Sequence, residues 1–287
     1  MIAATRPQGT LARDLAAVLD PVELCRHSGL VPDDAQERLL RCRSRRILLN
    51  CTRQWGKSTM AALLALYVVL RARSLVLLVA PGLRQSGELF RKVAGFVEGV
   101  SDHLPIQLKS ATKTSLEWTN GSRIIALPGT EATVRSYSAV SLIVLDEAAR
   151  ILDPLYLAVR PMLATSGGSI IALSTPFGKR GWWYDAWEHG GDTWERFTVT
   201  GDECPRIPDG FLAEERDTLP EWWYLQEYDC TFCDAIDAVF SEEIIRATFA
   251  PADLLDIELL FAADGTAFDD PSAGVEVVDD IEPLSFA

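Results

Sequence analysis

No apolar stretch in this 287-residue sequence reaches transmembrane length without a charged or polar break. A bilayer-spanning helix needs about 20 predominantly apolar residues, so a membrane-embedded protein is not expected. The run Met60–Leu70 is the strongest candidate and is too short; it suits a buried core helix. The N-terminus, with Arg6, Pro7, Gln8 and Gly9, has no apolar signal core. Export is therefore not expected, and the reading is a cytoplasmic protein. A disulfide framework is also missing. Cys25, Cys42, Cys51, Cys204, Cys230 and Cys233 fall in no paired spacing, as in a reduced cytosolic chain. Cys230 and Cys233 form a lone CxxC, and no second pair exists to complete a zinc site. They read instead as small residues along a buried or edge strand. There is no internal repeat. Lys and Arg are absent beyond Arg246, where ten acidic residues follow. The net charge of −14 thus lies mostly in that segment: residues 1–246 hold 27 basic and 31 acidic side chains, a balance of −4. Seven of the basic ones (Arg38, Arg41, Arg43, Arg45, Arg46, Arg53 and Lys57) fall within twenty residues. The overall charge accordingly neither favours nor excludes contact with nucleic acid.

What is present is led by Asn50–Thr59, NCTRQWGKST. Ile47, Leu48 and Leu49 before it read as a strand, and Met60–Leu66 after it as a buried helix. A strand, a tight loop ending in Gly56-Lys57-Ser58 and a helix make the layout of a phosphate-binding loop. Unpaired N–H groups and a partial positive charge at the helix start suit a polyphosphate. In such a loop Lys57 reaches the β- and γ-phosphates, and the Ser58 hydroxyl ligates Mg²⁺. The usual first glycine is missing; its position holds Cys51.

Strand-like runs recur at 46–51, 74–80, 142–145 and 169–174. Helical spacing covers 57–71 and 85–97, and residues 11–45 read as mostly helical, with a helix start at Pro32-Asp33-Asp34. Thr114–Trp118 and Arg123–Leu127, joined by Asn120-Gly121, read as a hairpin. Alternating strands and helices predict an α/β fold with a mostly parallel sheet and helices on both faces. The expected organisation is an N-terminal helical segment (1–28), a nucleotide-binding core (29–205), a linker or lid (206–250) and an acidic tail or small docked extension (251–287).

Leu142–Leu145 ends in Asp146-Glu147, which places two carboxylates at the C-terminal edge of a strand, where ligands bind in open α/β sheets. Asp146 is expected to hold Mg²⁺ and Glu147 to polarise the attacking water. Ser174 and Thr175, ending the next strand before Pro176, are candidates for sensing the γ-phosphate. Gln36 is a candidate for reading adenine. Arg53, Arg135 and Arg180 are candidate arginine fingers. The late tryptophans, Trp182, Trp183, Trp187, Trp194, Trp222 and Trp223, read as core rather than as base-stacking platforms.

Taken together, these residues resemble the ATPase domain of the large terminase subunit of tailed bacteriophages. The carriers are Gln36, Arg53-Gln54-Trp55-Gly56-Lys57-Ser58-Thr59, Asp146-Glu147-Ala148-Ala149, and Ser174-Thr175-Pro176 with Gly178 and Gly181. Arg84-Gln85-Ser86, Asn120-Gly121-Ser122-Arg123 and Leu127-Pro128-Gly129 are also similar. The resemblance runs from residue 29 to about 240, and the family's loop form lacks the first glycine, as here. It implies a P-loop NTPase fold of the additional-strand (ASCE) class. It also implies an ATP- and Mg²⁺-dependent motor that packages double-stranded DNA into a procapsid. The motor would work as a homo-oligomeric ring at the portal protein, with a small terminase subunit selecting the DNA. By position, Gln54, Gly56, Lys57, Ser58 and Thr59 would bind nucleotide, Ser58 and Asp146 the metal. Glu147 would be the catalytic carboxylate, Ser174-Thr175-Pro176 the coupling segment, Arg53 the loop arginine and Arg135 a finger acting on a neighbouring subunit. The family usually adds an RNase H-type nuclease domain, which needs more than about 100 residues. Only 41 follow Arg246, with Asp264, Asp269 and Asp270 as its nearest mimics. No nuclease is expected, and cleavage would fall to another polypeptide. Helicases, the competing class, carry a second RecA-like lobe, for which no counterpart is seen. An inactive prophage remnant is the other alternative; intact Lys57, Asp146 and Glu147 count against it.

Overall fold

The structure is a computed structural model and describes residues 8–100, 106–130 and 134–234, with the backbone alone for residues 8–11. Asp264, Asp269, Asp270 and the acidic segment lie outside the described residues. Three helices lead in: α1 (Gln8–Leu19), α2 (Pro21–His27) and α3 (Asp34–Arg41). The starts of α2 and α3 follow from capping. The Asp20 carboxylate accepts the Val22 N–H at 2.9 Å, with Pro21 at the first helical position. Asp33 accepts the Gln36 N–H at 2.8 Å while the Gln36 side chain accepts the Asp33 N–H at 3.1 Å, a reciprocal capping box. The helical stretch expected to reach residue 45 ends at Arg41, and the chain turns extended at Cys42 to feed the sheet.

The sheet has eight strands: β1 (Arg46–Cys51), β2 (Leu75–Ala80), β3 (Leu108–Ala111), β4 (Ser115–Trp118), β5 (Arg123–Pro128), β6 (Leu142–Asp146), β7 (Ser169–Ser174) and β8 (Glu195–Val199). Their spatial order is β3-β4-β5-β2-β6-β7-β1-β8. β5, β2, β6, β7, β1 and β8 pair in parallel; β3-β4 and β4-β5 are antiparallel. Strand β7 stands between the loop-bearing β1 and the carboxylate-bearing β6, which is the additional-strand arrangement.

The apolar runs read as strands are buried on both faces. Alternation sorts their side chains into two cores. Ile47, Leu49, Val76, Leu78, Leu142 and Val144 join one, with α4 (Lys57–Arg71) and α5 (Leu83–Val100). Leu48, Leu77, Val79, Ile143 and Leu145 join the other, with α6 (Asp153–Val159) and α7 (Gly181–Glu188). Trp182, Trp183 and Trp194 are buried in that second core, as expected; Trp223 is 37% exposed. Two short helices follow β8, α8 (Asp209–Thr218) and α9 (Glu221–Glu227). Cys230 and Cys233 lie in coil after α9, not on a strand, because Cys230 takes a left-handed backbone (φ 56°) that breaks extended pairing. All six cysteines are free thiols. Among the described residues no helix is long and apolar enough to cross a membrane.

Candidate nucleotide-binding site

The C-terminal edge of β1 opens into a cleft of about 550 Å³. It is lined by the loop from Thr52 to Thr59, by Gln36, and by Asp146 and Glu147 at the end of β6. The loop turns through left-handed residues at Gln54 (φ 64°) and Gly56 (φ 97°). A side chain at Gly56 would meet the Gln36 Nε2 at 3.2 Å as well as an unfavourable φ, so glycine is required there. The Thr52 N–H donates to the Val199 carbonyl (2.8 Å), which carries the β1-β8 ladder into the loop. The Met60 N–H then closes the first helical turn on the Gly56 carbonyl (3.0 Å), leaving the N–H groups of the preceding residues facing the cleft.

Lys57 folds its ammonium back onto the Cys51 and Thr52 carbonyls. Burial lowers its pKa from the ordinary lysine value, against the nearby carboxylates of Glu147 and Asp146. Asp146 is pushed up to about 6, first by burial and then by Glu147 beside it. Its Oδ1 accepts the Glu147 N–H at 3.0 Å. Glu147 takes a left-handed backbone (φ 51°, ψ 44°), an uncommon state for a non-glycine residue that turns its carboxylate out of the strand direction. The Arg150 guanidinium lies 3.9 Å from that carboxylate.

Gln36 is buried, and its amide is partly committed. Its Nε2 donates to the Trp55 carbonyl at 2.8 Å while its Oε1 serves the capping box. One N–H and one lone pair remain for a base. Ser174 and Thr175 are buried one and two positions beyond Leu173, the residue opposite Asp146. Ser174 is opposite Asn50 on β1, so it bridges the loop strand and the acidic strand without lining the cleft. Arg135 lies away from the cleft, in a separate hollow with Tyr137, Ser138, Leu157, Ala158, Pro161 and Met162. Arg180 lies over the Phe177 ring at 5.0 Å.

Arg53 lines the cleft mouth, and its Nε donates to the Glu227 carboxylate at 2.7 Å. Glu227 is 2% exposed and its carbonyl also accepts the Thr52 hydroxyl (3.1 Å). With the Asn50 amide donating to the Cys230 carbonyl (2.8 Å), the end of α9 and the residues just after it are fastened to β1 and its loop at three points. Reading the sequence missed Glu227, and it missed Arg206 and Lys92. Arg206 donates both to Asp33 (2.7 Å) and to the Trp55 carbonyl (2.7 Å), tying the α3 cap to the loop. Lys92, from α5, joins the lining and lowers the Asp146 pKa against burial. None of the three sits in a local motif; only spatial contact identifies them.

The donor set fits a nucleotide polyphosphate with a hard divalent cation. The loop ammonium is held by carbonyls that phosphate oxygens can replace. Asp146 is a carboxylate whose charge the site disfavours and a cation would stabilise. Among the described residues no group of three or more His, Cys, Asp or Glu forms a metal cage. Mg²⁺ needs none, since it binds through one or two protein oxygens plus phosphate and water.

No family model matches the sequence, and no curated protein matches it. Solved structures do match in fold. The large terminase ATPase domain of Thermus phage P74-26 superposes with a TM-score of 0.65 at 20% identity, over 73% of this chain and 97% of that one. The large terminase of bacteriophage HK97 gives 0.55 at 14% identity, over 71% of this chain and 51% of that one. A large terminase from a thermophilic bacteriophage in complex with ATP-gamma-S gives 0.57 at 10% identity, over 70% and 53%. The chain thus spans about half the length of these last two proteins. The fold is that of large terminase ATPase domains, a P-loop fold of the additional-strand class.

Proposed function

We propose that this chain is an ATPase that drives double-stranded DNA into a procapsid, the motor part of a terminase-like packaging machine. One observation carries the reading: Lys57 and Ser58 from β1-α4 and Asp146 and Glu147 from β6 converge on a single cleft. Lys57 exchanges its carbonyl partners for β- and γ-phosphate oxygens on nucleotide binding. Ser58 and Asp146 would hold Mg²⁺, which would supply charge neutralisation to the transferring phosphoryl group. Glu147, next in the chain to Asp146, orients a water for in-line attack and accepts its proton. Gln54, Gly56 and Thr59 shape the phosphate cradle, and the free half of the Gln36 amide faces the base. Ser174 and Thr175 link the loop strand to the acidic strand and report the loss of the γ-phosphate. Arg53 leaves Glu227 to meet phosphate, so that α9, in the proposed lid (206–250), feels the nucleotide state. Arg135 completes the site of a neighbouring subunit in a homo-oligomeric ring. In this reading the portal protein and a small terminase subunit are its partners and the host cytoplasm is its place.

The test is Mg²⁺-dependent ATP hydrolysis with and without linear duplex DNA. Hydrolysis stimulated by DNA, and a Glu147→Ala variant that binds nucleotide but turns over at least about 100-fold more slowly, is the expected result. Wild-type protein that binds no ATP with Mg²⁺ present overturns the reading.

A further inference from the structure

The seven basic side chains between Arg38 and Lys57 do not stay together in the fold. Arg53 and Lys57 face the cleft. Arg41 pairs with Asp20 (2.9 Å) and Glu37 (3.3 Å), and Arg38 stays exposed on α3. Arg43, Arg45 and Arg46 lie at the opposite edge of the sheet, where β1 begins. Three arginines distant in sequence join them on that edge: Arg71 ends α4, Arg73 precedes β2, and Arg123 opens β5. Strand register fixes this placement. Leu75 is opposite Arg123, the Ser141 N–H donates to the Leu75 carbonyl (2.8 Å), and the Ile170 N–H donates to the Arg45 carbonyl (2.8 Å).

All of these but Arg46 are exposed, and none of the six forms an ion pair with a described residue. Arg46 lies over Trp194 (6.0 Å) and Arg71 over Tyr67 (5.6 Å), which orients them without neutralising them. Asp153 and Asp185 line a hollow with Arg46, and Glu117 and Glu195 stand near the edge. Glu117, which feels Arg123, is held by Lys109 at 2.6 Å, and Glu195 begins the edge strand β8 beyond Arg46. Between the two arginine groups the edge is made of small residues: Ser141, Ser166, Gly167, Gly168 and Ser169. The Arg45 guanidinium lies over Gly167, 3.1 Å from where a Cβ would stand. At about 4.8 Å per strand, β2 and β1 are three steps, or about 14 Å, apart. That separation is close to the width of a duplex major groove, about 12 Å. Uncompensated like charges repel one another, and a polyanion relieves the repulsion while releasing its own counterions.

We propose that this edge holds duplex DNA by its phosphates, Arg43, Arg45 and Arg46 on one backbone and Arg71, Arg73 and Arg123 on the other. The proposal rests on the reading of the chain as a DNA-acting ATPase and adds where the DNA lies. It lies one strand length, about 20 Å, from the nucleotide cleft, at the end where the loop-bearing β1 starts. With no side chain reaching for base edges, the contact is indifferent to sequence.

The experiment measures binding of the full chain to a fluorescent duplex of about 30 base pairs, by anisotropy, across a salt series. Five or six phosphate contacts predict a slope of log K against log salt of about −5. In Arg45→Ala/Arg73→Ala/Arg123→Ala the slope becomes shallower by about 2.7 and affinity falls more than tenfold, while ATP hydrolysis without DNA is unchanged. The corresponding triple Lys variant recovers most of the affinity, which separates lost charge from lost fold. An unchanged slope and affinity in the Ala variant overturns the proposal. Equal competition by poly-glutamate at matched charge assigns the edge to an acidic protein and overturns it too. DNA binding through this edge by a wild-type protein that hydrolyses no ATP supports the proposal and sinks the motor reading alone.

Discussion

Asp146 and Glu147 are neighbours in sequence yet stand in different electrostatic positions. Asp146 closes a buried strand, and burial with Glu147 beside it lifts its pKa from 3.8 to about 6. A carboxylate with a raised folded-state pKa destabilises the fold when ionised: the unfolded chain loses the proton first. The Asp146 contribution is therefore most favourable below pH about 4, falls between about 4 and 6, and is constant above. Asp146→Asn keeps the acceptor for the Glu147 N–H and removes the charge. In nucleotide-free protein it should raise stability by about 1–3 kcal/mol at pH 8, with no gain at pH 4, as read by denaturant melts at the two values. A variant no more stable at pH 8 would mean that Lys57 and Lys92 already neutralise the charge. At this scale the motif residues were legible because a loop lysine and paired strand-end acids are each local in sequence. Glu227 and Arg206 were not, since each acts on the loop from far along the chain: one binds Arg53, the other the Trp55 carbonyl.

The elements divide in the same way. Strands β1, β2, β6 and β7 are buried on both faces, so their sequences are unbroken apolar runs and could be read directly. β3 is exposed along its whole length, and β8 mixes exposed with buried positions (ERFTV), so neither carries an apolar signal; pairing with β4 and β1 makes them strands. Helix α5 was read three residues short at its C-terminal end and two at its N-terminal end, in part because Gly87, Gly95 and Gly99 dilute its pattern. Nothing lies within 4 Å of a Cβ placed on any of these three glycines. Gly95→Ala on the exposed face should stabilise the protein by about 0.5–1 kcal/mol, through helix propensity and a less disordered unfolded chain. Gly168→Ala should do the reverse, because its Cβ would lie 2.2 Å from the Val140 carbonyl oxygen. Thermal melts of the two variants moving in the same direction would contradict the local geometry at one of them.

For the whole molecule, the cleft gathers Lys57, Ser58, Asp146 and Glu147 but not Arg135, which sits in its own hollow beside the exposed Leu157. An arginine that serves a neighbour's nucleotide gives a sharp expectation. Arg135→Ala and Glu147→Ala should each be inactive alone, and mixing them should restore part of the activity, because some interfaces pair an intact arginine with an intact glutamate. No recovery on mixing, in protein that still assembles, assigns Arg135 a role within its own subunit. The sequence by itself determined the loop and strand-end residues that line the cleft and the mostly parallel sheet that carries them. Both rest on local physics: apolar runs that must be buried, and a loop and strand end whose functional groups follow directly in the chain. Tertiary structure alone decided which distant side chains reach the loop, and that the arginines around residue 45 part company. Arg53 and Lys57 line the cleft, and Arg43, Arg45 and Arg46 share the far edge with Arg71, Arg73 and Arg123, because strand order and register, not distance along the chain, set where those charges lie.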